Sequence, residues 1–331
     1  MRHLFASTGF AGLLFAPSMA LAQTEVTVAL DWTPNTNHVG LYVAQSLGYY
    51  EDAGLDVEIL PYSDTSAGAL IASGVADFGV SGTLGVYGQR ARGSDIIGVF
   101  AITQRETGRL VFLADRDDIE TPADLDGLVY GGFGTGWEDA LLTNIIRNGG
   151  GEGEFETVTL GTSAYEALAN GAIDFTLEVY TWEGVQAEIE GPAQRGFDYA
   201  DYGVPEEHTT LLAASEAWLE GNDETARAFL GATQQAYRFA VENPDEAANI
   251  LIAANPMVLS NTELVHASME LMAGEHYFAT PEGVVGSMDE TMMEEMGRFM
   301  HEAGLVLDPS GQPLDPVPDF SSYYTNRFLV D

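Results

Sequence analysis

The sequence predicts an α/β protein built from two lobes with a ligand cleft between them. The first reason lies in residues 25–80, where segments with the period of a strand alternate with helical segments. The strand segments are 25–31, 55–60 and 78–80, and the helical segments are 38–48 and 67–74. Short loops between such elements are typical of a parallel sheet with helices on its faces.

A second set of alternating elements is the second reason. Its strands are predicted at 128–131, 158–160 and 175–177, with helices that begin at about 137 and at 163. From 216 onward the pattern is mainly helical, and the Pro-rich tail from 309 is expected to lie on the surface. A chain of 331 residues is also long for one domain and suits two.

A repeated phrase is the third reason. The segments 71–78 and 168–175 both read as a helix end, a glycine cap, and an Asp-Phe pair that enters a strand. Such a strand carries its next residues to the carboxyl edge of the sheet, where open α/β sheets bind ligands. Two lobes of the same design therefore predict one ligand held between two such edges.

Composition excludes several classes of function. The formal net charge is −39, and all 12 basic residues are arginine. Such a surface repels nucleic acid and anionic lipid, so neither is expected as a partner. The acid excess has two interpretations, solubility and operation in high salt. The absence of cysteine excludes disulfides, thiolate metal sites, a cysteine nucleophile and a lipoprotein anchor.

The N-terminus has the pattern of a signal peptide. Arg2 and His3 precede an apolar run at 4–19, and the small residues Ala20 and Ala22 mark a cleavage site after Ala22. A membrane anchor is the alternative, but glycine and proline interrupt a run that is too short to span a bilayer. We therefore expect an exported periplasmic protein without membrane insertion, and we exclude residues 1–22 from the fold.

The stretch 31–38 follows the first predicted strand and is the first candidate for the ligand site. It contains one indole, Trp32, among polar side chains that include Asn35 and His38. Turn formation explains the Asn residues well, and packing in a core is the alternative for Trp32. The position at the carboxyl edge of the sheet favours a stacking role for Trp32.

Three later stretches also lie where predicted strands end. The first contributes Ser81 as a ligand contact or a helix cap, with Tyr87 on the helix that follows. The second is a Gly-rich turn without the lysine of a phosphate-binding loop, and it presents three candidates: Gly134, Thr135 and Trp137.

The third stretch follows the strand 175–177 and places Glu178 and Tyr180 on one face. A carboxylate beside an aromatic ring suits an aminopyrimidine, because it accepts a hydrogen bond from the exocyclic amine. The alternative is a solvated acidic loop.

Neither catalysis nor a metal is expected. The six histidines, at positions 3, 38, 208, 266, 276 and 301, have no metal-ligand spacing. The chain also lacks a Ser-His-Asp motif and a nucleophile elbow. We therefore predict no catalytic residue, no metal site and no cofactor.

Three segments resemble a known family. They are LDWTPNTNHVGLYVAQSLGYYEDAGLDVEI, GVADFGVSG and GAIDFTLEVYTWEG. They resemble the NMT1/THI5-like solute-binding proteins of ABC importers, and most of all the ThiY-type binders of pyrimidine precursors. The resemblance covers about residues 25–305, and its most specific part is the phrase in the stretch 31–38.

The resemblance implies a type II periplasmic-binding-protein fold with two hinge crossings. We expect one lobe to contain 23–108 and 212–331, and the other to contain 109–211. The implied ligand is a thiamine-precursor aminopyrimidine of the formylaminopyrimidine or hydroxymethylpyrimidine type. The implied roles are stacking by Trp32 and Tyr180 and an amino-edge contact by Glu178. A monomer that delivers its ligand to an ABC permease of the inner membrane follows from the same resemblance.

Two alternatives stay open at the level of sequence. A sulfonate, nitrate or taurine-like anion binder has the same fold and needs an arginine in the cleft, for which Arg105 and Arg109 are candidates. A pyrimidine-forming enzyme is the alternative from another class. The absence of cysteine disfavours the enzyme, because the synthases of this family use a cysteine-rich motif.

Overall fold

The computed structural model describes residues 23–63 and 65–330. The predicted signal peptide lies outside the described residues. Two five-stranded sheets form the centres of the two lobes. Within the described ranges, no helix combines the length and apolar character that crossing a membrane requires.

The first sheet has the strand order β2-β1-β3-β10-β4. β1 pairs in parallel with β2 and β3, whereas β10 is antiparallel to both of its neighbours. The strands are β1 Thr24–Ala29, β2 Leu55–Leu60, β3 Phe78–Ser81, β4 Ile96–Ala101 and β10 Leu211–Ser215. The helices of this part of the chain are α1 Val39–Ser46, α2 Tyr49–Asp52, α3 Ala67–Ala72 and α4 Thr83–Ala91.

The second sheet has the order β7-β6-β8-β5-β9. β6 pairs in parallel with β7 and β8, whereas β5 is antiparallel to both β8 and β9. The strands are β5 Gly108–Leu113, β6 Val129–Gly132, β7 Glu156–Thr159, β8 Phe175–Val179 and β9 Gln194–Asp198. The helices are α5 Gly136–Asn148, α6 Ser163–Ala169 and α7 Val185–Glu190.

The C-terminal third is helical, as the sequence predicts. Its helices are α8 Glu216–Gly221, α9 Asp223–Glu242, α10 Pro244–Ala254, α11 Thr262–Gly274 and α12 Glu290–Glu302. Phe229 on α9 stacks on Phe78 of β3 with 4.3 Å between ring centroids, so α9 covers the first sheet.

The chain passes between the two sheets twice. We call residues 102–107, between β4 and β5, the first crossing segment and residues 199–210, between β9 and β10, the second crossing segment. The predicted lobe boundaries, at 108/109 and 211/212, lie beside the start of β5 and the start of β10. The division into lobes at those residues stays a prediction.

The repeated Gly-x-x-Asp-Phe phrase has the same structural role in both lobes: it ends a helix and connects the next strand to its neighbour. Gly74 and Gly171 both have φ 69°, which ends the preceding helix in the left-handed region that glycine tolerates best. The Asp77 carboxylate then accepts the Thr27 N–H at 2.8 Å, and the Asp174 carboxylate accepts the Val129 N–H at 2.9 Å. Each aspartate thus fastens a strand to its parallel neighbour.

The Pro-rich stretch 309–319 of the C-terminal tail is mostly exposed, as expected, but the residues that follow it are anchored in the core. Phe320, Tyr323 and Phe328 are all buried, and the Phe320 ring packs on Tyr87 of α4 with 5.3 Å between centroids. Proline and polar residues dominate the composition of the tail, but its three aromatic rings supply enough apolar area to anchor it.

A buried chain of hydroxyl groups connects the lobes. Ser268 on α11 is fully buried, and its hydroxyl donates to the Thr181 carbonyl beyond β8 at 2.5 Å. The Thr36 hydroxyl lies 2.7 Å from the Ser268 oxygen and therefore donates to it. The loop after β1, helix α11 and the segment after β8 are held together by these two bonds.

Replacing Ser268 with alanine should lower the free energy of unfolding by about 1–3 kcal/mol, because it leaves two buried groups without partners. Urea unfolding at neutral pH measures this loss. Ser73→Ala is the matched control: that exposed hydroxyl bonds only to carbonyls of its own helix, so its loss should change stability by less than about 0.5 kcal/mol. Equal effects of the two substitutions would contradict the connecting role.

Candidate functional site

A cavity of about 290 Å³ lies where the second sheet meets the crossing segments. The first lobe contributes Leu84, near the start of α4, and the crossing segments contribute Thr107 and Thr209. The second lobe contributes the turn between β6 and α5 and the end of β8. Much of the wall is aromatic, from Tyr130, Phe133, Trp137, Tyr165 and Tyr199. The cavity therefore has flat apolar walls of the kind that enclose a small ring.

The Gly-rich turn is organised around Glu138, which also lines the cavity. Its carboxylate accepts hydrogen bonds from the Thr135 N–H at 2.7 Å, the Phe133 N–H at 2.8 Å and the Tyr130 hydroxyl at 2.5 Å. Burial opposes ionisation, but these bonds outweigh it and lower the pKa of Glu138 below its ordinary value. The amide groups of Phe133 and Thr135 are thus directed at Glu138.

Glu178, at the end of β8, is buried beside an arginine. Arg109 Nε lies 2.5 Å from Glu178 Oε1, and the guanidinium stands over the Tyr180 ring at 4.1 Å from its centroid. Burial raises the pKa of Glu178 and Arg109 opposes that rise. The antiparallel register of β5 and β8 places Arg109 opposite Glu178, which explains the pairing.

Each crossing segment contributes one more carboxyl group to the cavity. Glu106 accepts the Thr107 N–H at 2.8 Å and the Gly108 N–H at 2.6 Å, and Glu207 is hydrogen-bonded to Glu106. Burial raises the pKa of both groups, and for Glu207 the neighbouring Glu106 raises it further. The proximity of two carboxyl groups therefore favours a proton shared between them, because ionisation of one opposes ionisation of the other.

Within the stretch 31–38, the side chains of Asn35 and His38 form their hydrogen bonds inside the loop. The Asn35 side chain accepts the Asn37 N–H at 2.9 Å, and the Asn35 N–H donates to His38 Nδ1. His38 Nε2 therefore carries the proton and donates to Asp31 at 2.9 Å. Asn35 and His38 are both buried. In this structure the two residues shape the loop after β1.

Trp32 is partly buried, and its ring lies against Tyr62 with 5.2 Å between centroids. It does not line the 290 Å³ cavity. One aromatic neighbour and partial exposure distinguish it from the fully enclosed rings of the core.

Ser81 and Tyr87 have partners inside the protein. The Ser81 hydroxyl donates to the Gly82 carbonyl at 3.3 Å, and the Tyr87 hydroxyl donates to the Met293 carbonyl at 2.6 Å. Tyr87 is fully buried because the C-terminal tail covers its ring. The structure therefore places Tyr87 in the core.

The cavity brings together three of the ten predicted ligand residues, Thr135, Trp137 and Glu178. Gly134 has φ 70° and shapes the turn, with no place in the cavity wall. Tyr180 lines a neighbouring cavity of about 490 Å³ together with Arg105 and Arg109. The ligand roles of all ten residues stay predictions.

Sequence reasoning missed four other groups of interest, namely Glu106, Glu207, Tyr165 and Tyr199. The only signal for the two glutamates was their position close to the predicted lobe boundaries, and in so acidic a chain that signal is weak. Glu183 was also missed: burial raises its pKa to about 7, and its Oε2 has no partner among the described residues.

Known proteins of one family are similar to this chain over most of its length. A family model described as NMT1/THI5 like matches residues 35–247. A formylaminopyrimidine-binding protein of Halalkalibacterium halodurans is 32% identical over 280 residues, which cover 82% of this chain and 83% of that protein. A 4-amino-5-hydroxymethyl-2-methylpyrimidine phosphate synthase of Legionella pneumophila is 23% identical over 318 residues, which cover 95% of each chain.

Solved structures confirm the predicted type II periplasmic-binding-protein fold. The periplasmic aliphatic sulphonate binding protein SsuA of Escherichia coli superimposes with a TM-score of 0.68 at 15% identity. The match covers 90% of this chain and 91% of that chain. At this identity the likeness concerns the fold alone.

Glu183→Gln should remove a pH-dependent loss of stability. The pKa of Glu183 is about 7 in the folded protein against 4.5 ordinarily, so the folded state binds the proton more tightly. Ionisation of Glu183 therefore costs stability as pH rises from about 4.5 to about 7, by up to about 3 kcal/mol. Urea unfolding of both proteins across this range measures the difference between them.

The difference in unfolding free energy between Glu183→Gln and wild type should grow across that range and then level off. Glu166→Gln, at an exposed position on α6, is the control and should follow wild type throughout. A difference that stays constant with pH would contradict the assignment.

Proposed function

Because the chain belongs to the NMT1/THI5-like family, we propose that it is the periplasmic solute-binding component of an ABC importer for a thiamine-precursor aminopyrimidine. The chain is a binding protein and not an enzyme, in line with the name of its 32% identical relative and with the periplasmic binding proteins that share its fold. The proposed ligand is of the formylaminopyrimidine or hydroxymethylpyrimidine type, held between the lobes. The predicted signal peptide and a cognate inner-membrane permease belong to the same proposal.

The observation that carries this proposal is the chemistry of the 290 Å³ cavity. Four carboxyl groups line it, from Glu106, Glu138, Glu178 and Glu207, and its described lining contains no arginine. Carboxyl groups in an apolar surrounding favour a ligand with N–H donors or a basic ring nitrogen and repel an anion. The aromatic walls favour a planar ring. An aminopyrimidine combines both properties.

The same observation weighs against the anion-binding alternative. Arg105 and Arg109 lie in the neighbouring cavity, which also contains the acidic residues Asp198, Asp201, Glu206 and Glu275. Arg109 is paired with Glu178, and the Arg105 guanidinium lies over the Tyr277 ring at 4.9 Å from its centroid. A sulfonate would have to displace Glu178 and enter an acidic surrounding, at a large electrostatic cost.

A thermal-shift panel followed by calorimetry tests the proposed function. Hydroxymethyl- and formylaminomethyl-substituted 4-aminopyrimidines should raise the melting temperature of the mature protein, because a ligand that binds only the folded state stabilises it. Taurine, an alkanesulfonate and nitrate should leave it unchanged. Stabilisation by the anions alone would favour the alternative binder, and pyrimidine formation from pyridoxal phosphate and iron would favour the enzyme.

Trp32→Ala should weaken binding of the aminopyrimidine at least tenfold, as judged from the magnitude of aromatic stacking. We expect the half-buried indole in the loop after β1 to cover the ligand when the lobes close by hinge motion. Calorimetric dissociation constants measure the effect. Trp32→Phe is the matched control, because it retains a stacking face and should keep most of the affinity. An unchanged dissociation constant for Trp32→Ala would refute the stacking role.

A further inference from the structure

We propose that Glu106 and Glu207, one from each crossing segment, together form the element that recognises the amino edge of the ligand. The inference rests on the proposed function and assigns within it a pair of residues that the sequence did not indicate. The edge in question is a ring nitrogen next to an exocyclic amino group, which a 4-aminopyrimidine presents. The crossing segments would then contact the ligand at the place where the two lobes join.

Two residues of the cavity wall each have a buried polar atom without a partner among the described residues. The two atoms are Oε2 of Glu207 and the hydroxyl oxygen of Thr107. Glu207 is only 4% exposed and Thr107 only 2% exposed, and both line the 290 Å³ cavity. A buried polar group without a partner destabilises the folded protein, so a ligand that supplies the missing donors would relieve this cost.

The two carboxyl groups are not equivalent. Glu106 accepts hydrogen bonds from the Thr107 N–H, the Gly108 N–H and the Thr209 hydroxyl, the last at 3.1 Å. No described N–H or hydroxyl group donates to Oε2 of Glu207. A carboxylate with three donors holds its charge more easily than one without, so the shared proton belongs to Glu207. This assignment agrees with the pKa of Glu207, which burial and Glu106 raise well above its ordinary value.

A protonated carboxyl group matches the amino edge atom for atom. Its O–H donates to the ring nitrogen, and its carbonyl oxygen accepts from the exocyclic amino group. When the ligand binds, the proton of Glu207 turns from Glu106 to the ring nitrogen. Glu106 is then left as a carboxylate that keeps its three protein donors. Full transfer gives a ligand cation beside the Glu207 carboxylate, and no other bond changes.

This arrangement discriminates between related rings. An aminopyrimidine nitrogen is basic enough to accept the proton, so the contact becomes charge-assisted and strong. The 4-oxo analogue presents an amide-like edge that pairs with a carboxyl group but does not take its proton. Glutamine at position 207 offers one donor and one acceptor but no proton to transfer. The preference for amino over oxo should therefore depend on Glu207.

Calorimetry with 4-amino-5-hydroxymethyl-2-methylpyrimidine and its 4-oxo analogue tests the inference. Wild type should prefer the amino compound, and Glu207→Gln should bind it at least tenfold more weakly while its affinity for the oxo compound changes much less. Glu206→Gln is the matched control: the residue is adjacent, undergoes the same substitution, lines only the neighbouring cavity, and as glutamine keeps an oxygen that accepts the Glu106 N–H. It should behave as wild type.

The unliganded melting temperature separates binding from structure. It should not fall in Glu207→Gln, because the replaced carboxyl oxygen has no protein donor to lose. Thr107→Val is the second variant, which removes an unpartnered hydroxyl and should weaken binding severalfold without loss of stability. If Glu207→Gln does not fold, Thr107→Val decides: unchanged affinity would overturn the inference.

The outcomes distinguish the inference from the function on which it rests. If wild type binds neither pyrimidine, the proposed function fails. If wild type binds the amino compound and Glu207→Gln binds it equally well, the function stands and the carboxyl pair is not its recognition element.

Discussion

The placement of four carboxyl groups around one cavity, three of them buried and Glu106 partly buried, is the constraint on which the rest of the site depends. A buried carboxylate requires hydrogen-bond donors, and each of the four is supplied differently. Glu138 takes amide groups from its own turn, Glu178 takes Arg109 from the adjacent strand, and Glu106 takes amide groups of the first crossing segment. Glu207 has only the Glu106 carboxyl. Under the proposed function, Glu207 is therefore the carboxyl group whose hydrogen bonding a ligand would complete.

The position of this site follows from how the lobes are joined. Both crossing segments pass beside the cavity, and Ser268 connects the loop after β1 to the segment after β8 through two buried hydrogen bonds. A ligand that contacts the crossing segments therefore acts where small rotations move a whole lobe. Under the proposed function, ligand binding would therefore be coupled directly to closure of the lobes.

Much of the fold was predictable because the local sequence patterns for helices, turns and strands agree with the tertiary packing. The Gly-x-x-Asp-Phe phrase predicted two helix ends and two strands, and the structure adds that Asp77 and Asp174 fasten those strands to their neighbours. Strands β9 and β10 were not predicted. β10 crosses back to the first sheet with the sequence Leu-Leu-Ala-Ala-Ser, which lacks alternation because both of its faces are buried. The tail was predicted to lie on the surface, as its Pro-rich part does, but its three buried aromatic residues were not predicted.

The sequence by itself determined the two-lobed α/β architecture and the family, and it placed the candidate ligand residues after the ends of strands, because all three depend on short-range patterns. Only the tertiary structure decided which of those residues meet. Asn35 and His38 turn their polar atoms into their own loop, and Tyr87 lies beneath the tail. Glu106 and Glu207 lie about a hundred residues apart and became neighbours only when both crossing segments were in place. No pattern along the chain encodes that distance, because packing of two separate sheets sets it.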